Sequence, residues 1–398
     1  MTKSDDKRVP VLRFKGFTDD WEQRKLGEHI IVSKQKNKDN LSLPAFSISN
    51  KNGFIPQEEQ FGKDNTYSKT DKSSNYIVKP KYFAYNPARI NVGSIAYQNT
   101  ITPVLVSSLY EIFRSDNNID DVFLQYWFRS EYFYKQIQRL QEGGVRQYFF
   151  IDKMRESQIY LTNVSEQNKI GSIISKLDKL LTLQQRKLND LSSMKSALLQ
   201  NIFPNTQGIK KIKLSTQEWN LQKISSIFKE RNQRNKNGML LSVSISKGVY
   251  PFSENDRKDN SSNDKSNYKE VKINDLAYNS MRMWQGAVGV SKYNGIVSPA
   301  YTVITPKKEE NPNFYYYYFK NKRMLFNFRQ HSQGLTSDTW NLKFPLFEKI
   351  LIQVPSDKEE EQRISSLFKQ LDKSIDLNKI HIEKLTSIKQ FLLQNMFI

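Results

Sequence analysis

The chain states most of its sequence twice, at a spacing of about 194 residues. The first half closes with Glu166-Gln167, Leu177-Asp178-Lys179 and Leu198-Leu199-Gln200-Asn201-Ile202-Phe203. The second closes with Glu361-Gln362, Leu371-Asp372-Lys373 and Leu392-Leu393-Gln394-Asn395-Met396-Phe397. The interiors agree too: Ala84-Tyr85-Asn86, Arg89 and Gly93 return as Ala277-Tyr278-Asn279, Arg282 and Gly286. Ser74-Asn75-Tyr76 returns as Ser266-Asn267-Tyr268, and Trp21 with Lys25-Leu26 as Trp219 with Lys223-Ile224. A period this long exceeds the ~20–50 residues of solenoid repeats, so the repeating unit is a domain. Two homologous domains in one polypeptide predict a pseudo-two-fold molecule that recognises two things with similar machinery.

Charge narrows the class of partner. The chain carries a formal net charge of +20, which points to an acidic polymer or surface. Residues 1–164 hold +5 and residues 204–356 hold +12, so the positive field belongs to the globular parts. If that excess faces DNA, the second part shows the steeper salt dependence. There is no cysteine, which excludes disulfides and thiolate chemistry. The first residues lack the apolar core of a signal peptide, and no run reaches the ~18 apolar residues that span a bilayer. A soluble, cytoplasmic protein is the expectation.

Residues 165–204 and 357–398 read as long helices. Apolar side chains recur every seven residues at Ile170, Leu177, Leu191 and Leu198, and again at Ile364, Leu371, Leu385 and Leu392. Ile173, Leu180, Leu188 and Met194, with Leu367, Ile375, Ile382 and Ile388, supply a second seam. Such heptads predict a coiled coil, each helix ~60 Å long at ~1.5 Å per residue. The centre of each seam is polar, Gln184 in one and Asn378 in the other. In an antiparallel pair these midpoints meet and set helix register; the alternative is that both amides point to solvent.

The parts between, residues 1–164 and 205–356, read as mixed α/β. Val104-Leu105-Val106 and Tyr301-Thr302-Val303-Ile304 have strand character. Phe123 to Ile137 reads as one amphipathic helix, with a counterpart from Phe314-Tyr315-Tyr316-Tyr317-Tyr318-Phe319 whose aromatics serve the core rather than base stacking. Lys63–Ser74 and Glu254–Asn267 are polar loops, and Asn205–Lys213 is the expected hinge.

Catalytic signatures are missing. None of the three histidines, His29, His331 and His381, recurs in the other half. Asn86-Pro87-Ala88-Arg89 shares two residues with the Asn-Pro-Pro-aromatic motif of adenine methyltransferases but lacks the rest. No glycine-rich nucleotide loop or phosphate-binding Gly-Lys-Ser/Thr motif occurs. No cofactor, no metal site and no enzymatic activity of its own are expected.

The ordered set, present twice, resembles the specificity subunit of type I restriction–modification systems. The entry segments (Trp21 with Lys25-Leu26-Gly27; Trp219 with Lys223-Ile224), the glycine loops (Gly143-Gly144; Gln333-Gly334) and the helices that follow carry the resemblance. It departs where Ser225 replaces the entry Gly27 and where the second loop has one glycine. The resemblance implies two target recognition domains separated by two long antiparallel coiled-coil helices. Each domain would read one half of a bipartite, asymmetric site in double-stranded DNA. Two methylation subunits and the restriction subunits would assemble around the chain and supply the catalysis. A ~60 Å helix limits the unread spacer to about 18 base pairs at ~3.4 Å each. The rival reading is an architectural nucleic-acid binder without sequence preference.

Base edges are read by Arg, Lys, Asn and Gln, and phosphates by Lys, Arg and backbone amides. In the first domain this selects Arg89, Asn91, Arg146, Gln147 and Tyr148. In the second it selects Arg282, Trp284, Gln285, Ser337, Thr339, Trp340 and Asn341. Arg89 and Arg282 recur, which suits a shared phosphate contact or salt bridge as well as base reading. Different half-sites require differing residues, such as Asn91 against Trp284-Gln285. Phe203 and Phe397, at the helix ends, are candidate docking points for methylation subunits; the alternative is that they pack on their own domains.

Overall fold

The computed structural model describes residues 9–50, 52–61, 72–143, 147–204, 212, 218–254, 264–307 and 310–398. Most of the expected hinge and of both polar loops lies outside them. The chain divides into two compact units. One comprises residues 1–185 with 380–398, the other residues 186–379. Each unit therefore takes its second helical piece from the far end of the other repeat's helix.

The units match strand for strand. In the first, a four-stranded antiparallel sheet runs in the order 30–32, 111–115, 83–85, 95–97. In the second, the order is 228–230, 301–306, 276–279, 288–290. Strand alternation sorts the side chains into two cores. Phe83, Tyr85 and Phe113 face the helices, with Trp21, Phe123, Trp127 and Phe133. Ala84 and Ile112 face a small hairpin and a second strand pair, 76–78 with 104–106, which supplies Val78, Val104 and Val106. The second unit repeats this: Leu276, Tyr278 and Ile304 turn one way, Ala277 and Val303 the other. A further strand pair, Glu22–Lys25 with Gln158–Leu161 or Trp219–Lys223 with Leu351–Pro355, leads into each long helix.

The single helix expected from Phe123 to Ile137 is two, Asp121–Trp127 and Glu131–Leu140. The Ser130 hydroxyl accepts from the Phe133 amide and starts the second, so a capping residue inside an apolar pattern broke it. The counterpart divides likewise, Pro312–Phe319 and Lys322–His331, with Asn321 as the cap. Phe314, Tyr315, Tyr317, Tyr318 and Phe319 are buried in the core.

The long helices run Val164–Asn201 and Lys358–Asn395. Of the seven-residue seam, Ile170, Ile364, Leu371, Asn378 and Leu392 are buried, and Leu177, Gln184, Leu191, Leu198 and Leu385 are half-buried. The second seam departs from expectation, because Leu180, Met194 and Ile388 are exposed. Asp178 anchors the first helix within its unit: it accepts from the Tyr126 hydroxyl at 2.9 Å and pairs with Lys389. Asp372 does the same in the other unit with Tyr317, at 2.8 Å, and Lys195. This explains why Leu-Asp-Lys recurs.

The Glu-Gln match is offset by one residue. Seam register sets Glu166-Gln167 against Glu360-Glu361, and these four are the buried residues while Gln362 is exposed. Glu166 accepts both bonds of a bidentate pair from Arg13, at 2.7 and 2.9 Å. Gln167 accepts from the Asp120 amide and donates to two carbonyls. Glu360 accepts from the Trp219 indole at 3.0 Å.

Phe203 and Phe397 are each 1% exposed, which removes them as docking points. Phe203 stacks on Tyr318 and Phe368 in the second unit, and Phe397 lies 5.1 Å from Phe123 in the first. Their faces are already covered from within the chain.

Candidate DNA interface

Each four-stranded sheet ends in the same turn. The strand Phe83–Tyr85 leads through Asn86-Pro87-Ala88 to Arg89, a short 3₁₀ segment Ile90–Val92, and Gly93, before the chain returns at Ile95. The second copy runs Leu276–Asn279, Arg282, Met283–Gln285 and Gly286. Arg89 and Arg282 adopt nearly the same backbone, φ −134° and −128°. Gly93 and Gly286 take φ of +87° and +84°, where a side chain is strained, so the turn demands glycine. One buried residue, Ile90 or Met283, pins the turn to the core and leaves the flanking positions facing outward.

The glycine loop lies beside this turn. Glu142 and Tyr148 close it in the first unit through paired backbone bonds, and Gln333 and Asn341 in the second. The Phe149 amide donates to the Pro87 carbonyl at 3.0 Å, and the Leu342 amide to Ser280 at 2.9 Å. Turn and loop are therefore hydrogen-bonded neighbours in both units. The second loop spans 334–340 against 143–147 in the first, two residues longer.

With the scaffold the same, the side chains differ. Arg89 and Asn91 are exposed and Gln147 is exposed; Tyr148 stacks flat on Phe150 at 5.4 Å. Arg146 lies outside the described residues. In the second unit Arg282, Trp284 and Gln285 are half-buried, and Trp284 meets Trp340 edge-on at 5.1 Å. Among the described residues, neither Arg89 nor Arg282 has a side-chain hydrogen bond or ion pair, which disfavours an internal salt bridge. Ser337 is exposed. Thr339 spends its hydroxyl within the loop, accepting from the Thr336 amide at 3.1 Å and donating to its carbonyl at 3.0 Å. Asn341 is half-buried, with an Oδ1 that has no hydrogen-bond partner among the described residues.

The floors differ as well. Beneath the first turn, Tyr85 stands opposite Glu111, whose side chain is 12% exposed and 3.8 Å from Lys34. Burial raises the Glu111 carboxyl above its ordinary value, partly offset by Lys34 and the Ile151 amide. Beneath the second, Tyr278 stands opposite Thr302, which shares a 2.8 Å hydroxyl bond with Ser280. Beside the Gly286 turn, burial and the Lys195 charge push the Lys320 ammonium down to about 8, while it donates to the Ile245 carbonyl at 2.6 Å. A carboxyl group lies under one site and a hydroxyl pair under the other.

Residues 18–193 and 216–387 each match the type I restriction modification DNA specificity domain. The chain belongs to this family. It is a sequence-specific DNA-recognition subunit of a type I restriction–modification system, with two copies of the recognition domain. The fold is similar to that of a type I restriction–modification S subunit from M. genitalium, at 14% identity and a TM-score of 0.61. That match covers 98% of this chain and 99% of the other. A structure reported for complex assembly and conformational transition of a type I R-M system matches at 13% identity, 96% and 98% coverage and a TM-score of 0.51. No curated protein sequence matches the chain. No helix among the described residues is long and apolar enough to cross a membrane.

One residue of this specificity subunit escaped the sequence reading. Arg329, near the end of the helix Lys322–His331, holds its guanidinium 4.8 Å above the Trp340 ring. Its helix packs against the Met283–Gln285 turn. Nothing in its local sequence distinguishes Arg329 from a solvated helix residue; only the fold brings it to the loop.

Proposed function

We propose that each unit reads one half of a bipartite, asymmetric target in double-stranded DNA through its arginine turn and glycine loop. The observation that carries this is one scaffold built twice with different outward side chains: Asn91 against Trp284, Gln147 and Tyr148 against Ser337 and Trp340. A repeated backbone gives a repeated approach to DNA, and unlike side chains give unlike half-sites. Arg89 and Arg282, identical in residue and backbone, suit phosphate contacts that set the register of each domain. Thirty-eight residues of helix span ~57 Å, which bounds the unread spacer at about 17 base pairs. Gln184 and Asn378 would set the register of the two helices. The chain would work without catalytic groups of its own, in the cytoplasm, with two methylation subunits docked along its helices and restriction subunits beyond them. Leu183 and Phe391, at 60% and 53% exposed, supply apolar helix surface for that docking, which the buried Phe203 and Phe397 do not.

The test is methylome sequencing of a methylation-deficient host that expresses the chain with its methylation subunit. Methyl-adenine confined to one asymmetric bipartite motif is the expected result. A soluble assembled complex that leaves DNA unmethylated, or methylates it without a motif, would refute the reading.

A further inference from the structure

We propose that Arg329 reads a guanine in the half-site bound by the second unit, held in place by Trp340. This rests on the reading that this unit binds one half-site. Three elements converge here: the turn with Arg282 and Trp284, the glycine loop with Trp340, and the helix that carries Arg329. Trp284 braces Trp340 edge-on at 76°, and the Arg329 guanidinium lies 4.8 Å from the Trp340 ring. Among the described residues the guanidinium has no hydrogen bond and no ion pair, so its N–H edge stays available. The Trp340 ring holds the guanidinium beside the loop before any ligand arrives, and lysine would bring a point charge there without the planar fork. A positioned planar fork with unspent donors matches guanine, which offers the O6 and N7 acceptors side by side in the major groove. A phosphate would also accept from it, but needs no aromatic brace to select one orientation.

The first unit lacks this device. Counted from the capping residues Ser130 and Asn321, the matching helix position is Gln138, which is exposed. The two half-sites therefore differ at the base this position reaches.

The experiment uses the full chain assembled with its methylation subunits and selects duplexes from a randomised pool. Wild type, Arg329→Ala and Arg329→Lys are compared. Wild type should enrich two half-motifs joined by a fixed spacer. Both variants should lose preference at a single G·C position of one half-motif, by about ten- to a hundredfold, and keep every other position. Arg329→Lys retains charge and stem, so it supplies the answer if the alanine variant folds poorly. Variants that enrich the wild-type motif unchanged overturn the proposal, as do variants that lose all positions in parallel, the signature of a backbone contact. A wild-type complex that enriches no motif overturns the half-site reading itself, and this proposal with it.

Discussion

Phe203 sits at the end of the first repeat, yet its side chain belongs to the core of the second unit. Its ring lies 4.9 Å from Tyr318, 5.8 Å from Phe314, 6.1 Å from Phe368 and 6.2 Å from Trp219. Truncating a fully buried phenylalanine costs about 3–5 kcal/mol, and aromatic partners place this site toward the upper end. For a unit of nearly two hundred residues, each kcal/mol moves the midpoint by about 2–4 °C, so Phe203→Ala should lower it by about 6–20 °C. Hydrogen exchange locates the damage. Protection should fall in the second unit, around Tyr315 and Phe368, while the sheet at Phe83 and Phe113 stays protected. Phe397→Ala should give the mirror result, because its ring packs on Phe123 in the first unit. A loss below about 1 kcal/mol, or lost protection in the first unit on truncating Phe203, would refute the exchanged-end packing.

Glu361 gives a pH-dependent outcome. It is fully buried, accepts from Lys358 at 3.0 Å and Tyr315 at 3.3 Å, and its other oxygen has no hydrogen-bond partner among the described residues. Burial raises its carboxyl above the ordinary value, with Lys358 opposing. Proton binding therefore favours the folded state: this stabilisation is complete below pH about 4.5 and is lost as pH rises through the folded value. The first repeat has neutral Gln167 at this place. Glu361→Gln should gain thermal stability relative to wild type as pH rises from 4 to 7, and a pH-independent difference would contradict the assignment. For the turn arginines, Arg89→Ala and Arg282→Ala should weaken binding to target and random duplexes alike. Each should flatten the salt dependence by about one unit of slope; a loss confined to the target would make them base readers instead.

The duplication, the helices and the class of function were legible in the sequence because each rests on spacing. Identical residues at a domain-length interval need no contact to be seen, and heptads declare a helix from one dimension. Arg89 and Arg282 stood out by recurrence as well, while the left-handed turn that Gly93 and Gly286 close came only with the structure. What spacing cannot carry is which surface a side chain meets. Ser130 divided a helix because a local hydroxyl competes with the apolar pattern. Phe203 and Phe397 went to the interior because each helix end closes the unit begun by the other repeat. Arg329 joined the recognition loop only when folding set its helix against the turn and brought its guanidinium to the Trp340 ring. Periodicity and local caps belong to the chain, whereas partners distant in sequence are chosen by packing, so tertiary structure alone assigned Phe203, Phe397 and Arg329.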